Sequence, residues 1–160
     1  MSGRLSREIR QATPMDAAQE AFLNVLRTAA VLECAVGRIL RPAGLTQTQY
    51  NALRILRGAH PRALPCSSVG ERMVTPVPDV TRLLDRLERR GWVERRRATA
   101  DRRVVEVGIT AEGRALLARL DPRIETWIAG RFAALRPAAV EALIEALETL
   151  RDEPEEDDDE

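Results

Sequence analysis

Apolar side chains recur along most of this chain at spacings of three and four, and in one short stretch at a spacing of two. Phe22, Leu26, Ala29, Val36 and Leu40, with Glu33 in the same register, fall on one face of a long helix that Pro14 opens and Pro42 and Gly44 stop. Thr46 and Gln49 have the spacing of a capping box, in which a hydroxyl and a side-chain amide satisfy each other's backbone donors. They start a second helix with Gln49, Ala52, Leu53 and Leu56 on one face, ending near Gly58. His60 to Pro65 reads as a loop. Ser68 and Glu71 read as a second capping box, opening a short helix through Met73. Thr75-Pro-Val-Pro-Asp79 breaks the chain and starts another helix, with Val80, Leu83, Leu84 and Leu87 as its buried stripe. Asp79, Arg82, Arg86 and Arg89 lie on its other side, and Gly91 ends it.

The period then changes to two. Residues 92–97 and 103–109 read as two strands joined by a turn at 98–102; in the second, Val105, Val107 and Ile109 alternate with Val104, Glu106 and Gly108. Thr110 caps the next helix, which carries Leu116, Leu120, Ile124, Trp127, Ile128, Phe132 and Leu135. Pro122 predicts a kink or break in it near Asp121. Pro137 starts a last helix with Val140, Leu143, Ile144, Leu147 and Leu150 at helical spacing.

This order predicts a mostly α fold with a small β-wing: a winged helix-turn-helix domain flanked by N- and C-terminal dimerisation helices. The expected boundaries are a loose polar arm over 1–13, a dimerisation helix over 14–44, the winged domain over 45–110 and dimerisation helices over 111–151. Residues 152–160 are expected to be a disordered acidic tail. The helix after the tight turn suits a DNA major groove, and the hairpin tip, Asp101-Arg102-Arg103, suits a minor groove. Arg95, Arg96 and Arg97 alternate in side, so only one or two can serve; Arg95 and Arg97 are the candidates.

Charge first argues against this picture and then supports it. The 160 residues carry 25 basic and 25 acidic side chains, a net charge of zero. Every basic residue other than His60 is arginine. Eight of the acids lie in 152–160, which leaves the rest of the chain at +8; residues 72–103 alone hold ten Arg against five acids. The neutral average is a basic body plus an acidic tail. That tail is a candidate to compete for the basic face.

Several runs resemble MarR-type regulators. Leu45-Thr-Gln-Thr-Gln-Tyr-Asn-Ala-Leu53 is similar to that family's second helix, and Pro78-Asp-Val-Thr-Arg-Leu-Leu-Asp-Arg-Leu-Glu-Arg-Arg-Gly91 to its recognition helix. Val93-Glu-Arg-Arg resembles the first wing strand. Asp101-Arg-Arg-Val-Val-Glu-Val-Gly-Ile-Thr-Ala-Glu-Gly113 resembles the family's wing-to-helix signature, with Ile109 where leucine is commoner. The resemblance covers residues 14–150. It implies a cytoplasmic, homodimeric, ligand-responsive transcriptional regulator, usually a repressor, that binds a palindromic operator. Carried over by position, it assigns Thr75, Pro76, Val77, Thr81, Arg82 and Arg86 to the recognition helix, and Asp101 and Arg103 to the wing. It implies double-stranded DNA and a second copy of the chain as partners. It also implies a small-molecule effector, of phenolic or aromatic type, in a cleft to which Tyr50 and Trp127 are candidates.

Enzyme chemistry finds no footing: there is no phosphate-binding glycine loop, no nucleophile elbow and no ligand set for a metal. No cofactor and no metal site are expected, and no apolar run approaches the ~20 residues of a membrane span. His60 reads as a surface or packing residue. Cys34 reads as a buried core residue, with oxidant sensing, implied by the resemblance, as the alternative; Cys66, near a helix N-terminus that lowers a thiol pKa, is the second redox candidate. Two other functions stay open, a winged-helix module for protein interaction and a thiol-based redox sensor in the same fold.

Overall fold

The computed structural model describes residues 4–11, 13–98 and 103–152. The chain divides into two compact units, 1–121 and 122–160. In the first, α1 (Arg4–Glu8) precedes the long α2 (Ala17–Leu40). The loose arm expected over 1–13 thus contains a helix, because Leu5 is only 2% exposed and Arg27 and Arg4 both reach the Glu8 carboxylate. α2 begins after Asp16, whose side chain accepts the Gln19 N–H at 2.8 Å, rather than at Pro14. A single 3₁₀ turn (Arg41–Ala43) then closes on Gly44, at φ +67°. The Gly44 N–H donates to Arg41 and the Leu45 N–H to Leu40, so the left-handed residue satisfies the final carbonyls.

α3 (Gln47–Ala59) starts with the expected capping box, both of whose bonds form between Thr46 and Gln49. Its Ala52, Leu53 and Leu56 are buried. The loop expected at 60–65 contains a strand, β1 (Leu64–Pro65), which pairs with β3. Pro65 is tolerated because β1 is an edge strand, where a missing N–H disrupts no ladder. α4 (Cys66–Glu71) follows at once, so Ser68 lies inside it and the second capping box does not form.

Residue 70 is glycine for a packing reason: a Cβ there would stand 2.8 Å from Val80 Cγ2. Val80 is the first residue of α5 (Val80–Arg89), so Gly70 allows the close crossing of the helix-turn-helix. α5 buries Leu83, Leu84 and Leu87 against the core. Fully burying each leucine stabilises the fold by about 1.5–3 kcal/mol. Antiparallel strands β2 (Val93–Arg97) and β3 (Val105–Ile109) pair in the register Val93↔Ile109, Arg95↔Val107 and Arg97↔Val105, giving the sheet order β1-β3-β2. Val107 and Ile109 are buried as the alternation predicts, whereas Val105, at the outer end, is exposed.

Of the kink or break expected near Asp121, the break does not occur: α6 (Ala111–Phe132) is helical through Pro122. Proline lacks the N–H that the Ala118 carbonyl needs, but Ala118 and Pro122 are both exposed, so water can take that bond. The second unit holds the end of α6 and α7 (Pro137–Thr149). No α7 residue is buried within the chain, and Leu143 and Ile144 are exposed. Phe22 and Leu26 of α2 are likewise exposed, Phe22 by 62%. Among the described residues, no helix is long and apolar enough to cross a membrane.

Candidate nucleic-acid interface

α5 is built to present arginine. Asp79 caps it by accepting the Arg82 N–H at 2.7 Å. Burial of Leu83, Leu84 and Leu87 forces Thr81, Arg82, Arg86 and Arg89 outward, and all four are exposed. Among the described residues, the Arg82 and Arg86 side chains form no ion pair or hydrogen bond. Thr75, Pro76 and Val77 were expected on this helix but precede it. Thr75 and Val77 each stand before a proline, whose ring excludes the helical region for the preceding residue. Thr75 and Pro76 are exposed on that lead-in segment, and Val77 is half-buried.

The wing arginines divide by face. Arg95 shares the inner face of β2 with Val93 and turns onto α5: its guanidinium pairs with Asp85, lies 3.7 Å from Glu88 and donates to the Thr81 carbonyl at 2.9 Å. Its Nε is buried without an acceptor. Arg95 therefore joins the wing to α5 and is withdrawn from the exposed set in which it was expected. Arg96 pairs across the strands with Glu106 at 3.2 Å. Arg97 and Arg103 are exposed near the outer end of the hairpin. Asp101 and Arg102, and the tail beyond Asp152, lie outside the described residues.

One junction ties α5, the wing and α6 together. Gly91, at φ +71°, closes α5: the Gly91 N–H donates to the Glu88 carbonyl at 2.8 Å and the Trp92 N–H to Leu87 at 3.1 Å. The Trp92 carbonyl accepts the Thr110 N–H at 3.1 Å. The Thr110 hydroxyl donates to the Gly91 carbonyl at 2.7 Å and accepts the Gly113 N–H at 3.1 Å. Arg90 lies 4.9 Å over the Trp92 ring and donates to the Gly44 carbonyl.

A second polar contact joins α3 to α6, and spacing alone did not reveal it. The Tyr50 hydroxyl donates to Asp121 at 2.6 Å, and the Arg57 guanidinium pairs with the same carboxylate. Burial, then the Asp121 hydrogen bond and charge, push the Tyr50 phenol from 10.0 up to about 12. A phenol pKa above its unfolded value means that the protonated form stabilises the fold. That contribution is complete below pH 10 and is lost as pH rises through 12. It amounts to about 2–3 kcal/mol. Tyr50 is the chain's only tyrosine, so phenolate absorbance reports this one group. We expect its midpoint near pH 12 folded and near pH 10 in denaturant, with a fall in stability between them that Tyr50→Phe reduces. A folded midpoint at 10 would show the hydroxyl neither buried nor bound to Asp121.

The expected effector residues fare differently. Tyr50 is buried with its hydroxyl bound to Asp121, and Trp127 is half-buried on α6 in the second unit. A polar cleft of about 340 Å³ opens elsewhere, lined by His60, Arg62, Glu94, Arg96, Glu112 and Arg114 among others; neither aromatic borders it. Cys34, expected in the core, is exposed on α2. Cys66 is half-buried at the start of α4, and burial raises its thiol pKa despite the nearby Arg95 guanidinium. The lowered value expected from a helix N-terminus does not arise, because burial outweighs the lowering effects of the Arg95 charge and the backbone hydrogen bond.

A tight helix pair, an arginine-bearing second helix and a hairpin braced against it define a winged helix-turn-helix protein. The MarR family's sequence profile matches residues 45–105. A MarR transcription factor from Planctomyces limnophilus is 35% identical over 86% of this chain and 99% of its own, with a TM-score of 0.63. The chain belongs to the MarR family. Sco3205, a MarR-family transcriptional regulator of Streptomyces coelicolor solved in complex with DNA, is 25% identical, covering 92% of this chain and 96% of its own, with a TM-score of 0.79. The Escherichia coli (strain K12) transcriptional repressor MprA is 29% identical over 85 residues, 53% of this chain. That match spans about half of the repressor's length, 48%.

Proposed function

We propose that the protein is a DNA-binding transcriptional regulator, acting as a homodimer on a palindromic operator and answering to a small aromatic effector, most commonly as a repressor. The observation that carries the reading is the exposed α5 face, where among the described residues Arg82 and Arg86 have no acidic partner while Arg95 and Arg96 do. Arginine left unpaired on a groove-sized helix is matched to phosphate oxygens and to guanine edges. The DNA complex of the Streptomyces relative supports the same partner. The assignments proposed are recognition by Thr75, Pro76, Val77, Thr81, Arg82 and Arg86, and wing contacts by Arg97, Asp101, Arg102 and Arg103. Residues 45–110 are the DNA-reading part.

The homodimer is supported by apolar faces that one chain leaves uncovered on α2 and α7. Residues 14–44 and 111–151 would supply it, and two-fold symmetry would set the spacing of the half-sites. Ligand response is the family-level part of the proposal.

The test is footprinting on the gene's own upstream region, followed by duplex titration over a salt series. Affinity should fall steeply with salt as counterions are released. Arg103→Ala should weaken it several-fold, by about 1 kcal/mol or more. A weak and salt-independent titration would favour the protein-interaction module instead.

A further inference from the structure

We propose that Val74 is a specificity-determining residue that reads the C5-methyl group of a thymine in each operator half-site. The proposal rests on the DNA-binding reading above. Val74 is 86% exposed, more than any other large apolar residue described in the chain. Most of the others lie on α2, α6 or α7, where a second copy would cover them. Val74 is on none of those helices but in the turn between α4 and α5.

The turn holds this side chain out rather than leaving it loose. The Val74 N–H donates to the Asn51 side-chain carbonyl of α3 at 2.9 Å. Behind it, the Arg72 and Met73 N–H groups close onto the Val69 and Gly70 carbonyls. Ahead of it, Pro76 and Pro78 restrict the lead-in to the Asp79 cap. A half-buried asparagine is thus committed to fixing the backbone under an exposed valine. Exposed Arg72 and Thr75 flank it.

Such a pinned apolar tip has one complementary feature in a major groove. Base edges there present donors and acceptors, and only thymine adds a methyl group. Valine has no hydrogen-bonding group, so it cannot discriminate by any other means. Removing its contact with one methyl should cost about fourfold per half-site, the worth of one buried methyl-sized group.

The experiment replaces each operator thymine in turn with deoxyuridine, which lacks only the methyl. We expect one position per half-site at which wild-type protein loses about fourfold in affinity. Val74→Ala, which removes the contact from both half-sites at once, should lose about fourfold for each, roughly sixteenfold on the thymine operator, and be indifferent to deoxyuridine there, with the salt slope unchanged. If Val74→Ala keeps the deoxyuridine penalty, or binds the thymine operator like wild type, Val74 does not read the methyl. If wild-type protein shows no sequence-dependent duplex binding at all, both this proposal and the DNA-binding reading fall.

Discussion

Gly113→Ala is expected to destabilise the protein by about 3 kcal/mol, the upper end of what overpacking usually costs. The sign is what makes this informative. Gly113 lies inside α6, where exchanging glycine for alanine ordinarily gains about 0.5–1 kcal/mol. Here a Cβ would stand 2.3 Å from the Trp92 carbonyl oxygen and 2.8 Å from Ile109 Cγ1. That carbonyl cannot retreat freely, because it accepts the Thr110 N–H, and the Trp92 N–H is itself bound to Leu87. Relief of the clash would open the junction that fixes α5 against the wing. Gly58→Ala, where nothing lies within 4 Å of the added atom, is the control and should gain stability. Chemical denaturation at one fixed protein concentration compares them, since a dimer's stability depends on concentration. A Gly113→Ala protein as stable as wild type would show that the junction is looser than its geometry implies.

This junction shows what the sequence made legible. Thr110 and Gly113 stood out as a signature, and local chemistry explains part of it: the Thr110 hydroxyl accepts the Gly113 N–H within one helical turn, whereas the Trp92 carbonyl that demands glycine there lies far back in the chain. The Thr46–Gln49 box and the α5 stripe were legible for the same reason, since their determinants are neighbours along the chain. Elements that depend on distant partners were not. β1 is two residues long and exists only because Leu64 and Pro65 meet Val107 and Glu106. Alternation showed that Arg95, Arg96 and Arg97 could not all face one way, yet Asp85 and Glu88 decide which one turns inward. Asp121 gave no hint of its role, because Tyr50 and Arg57 are more than sixty residues away. The pattern marked nothing at Val74, whose exposure and bond to Asn51 of α3 depend on the fold.

Replacing both Arg82 and Arg86 by alanine should lower operator affinity by about a thousandfold or more. Each phosphate or base-edge contact of an arginine contributes on the order of 1–3 kcal/mol, and two are removed from each protomer. Stability should move by less than about 0.5 kcal/mol, because both side chains are exposed and neither has a protein partner to orphan. The slope of log affinity against log salt should shrink by roughly one for each phosphate that is no longer neutralised. Arg95→Ala supplies the contrast. It leaves Asp85 and the Thr81 carbonyl without their donor, so stability should fall by about 1.5–3 kcal/mol, the worth of a charge-assisted hydrogen bond. Any weakening of DNA binding in that variant should follow the loss of fold and disappear at low temperature. Together the variants separate arginines that hold the wing from arginines that read DNA, a distinction that net charge alone does not make. Wild-type affinity in the Arg82 and Arg86 double variant would remove α5 from the interface, whatever its fold.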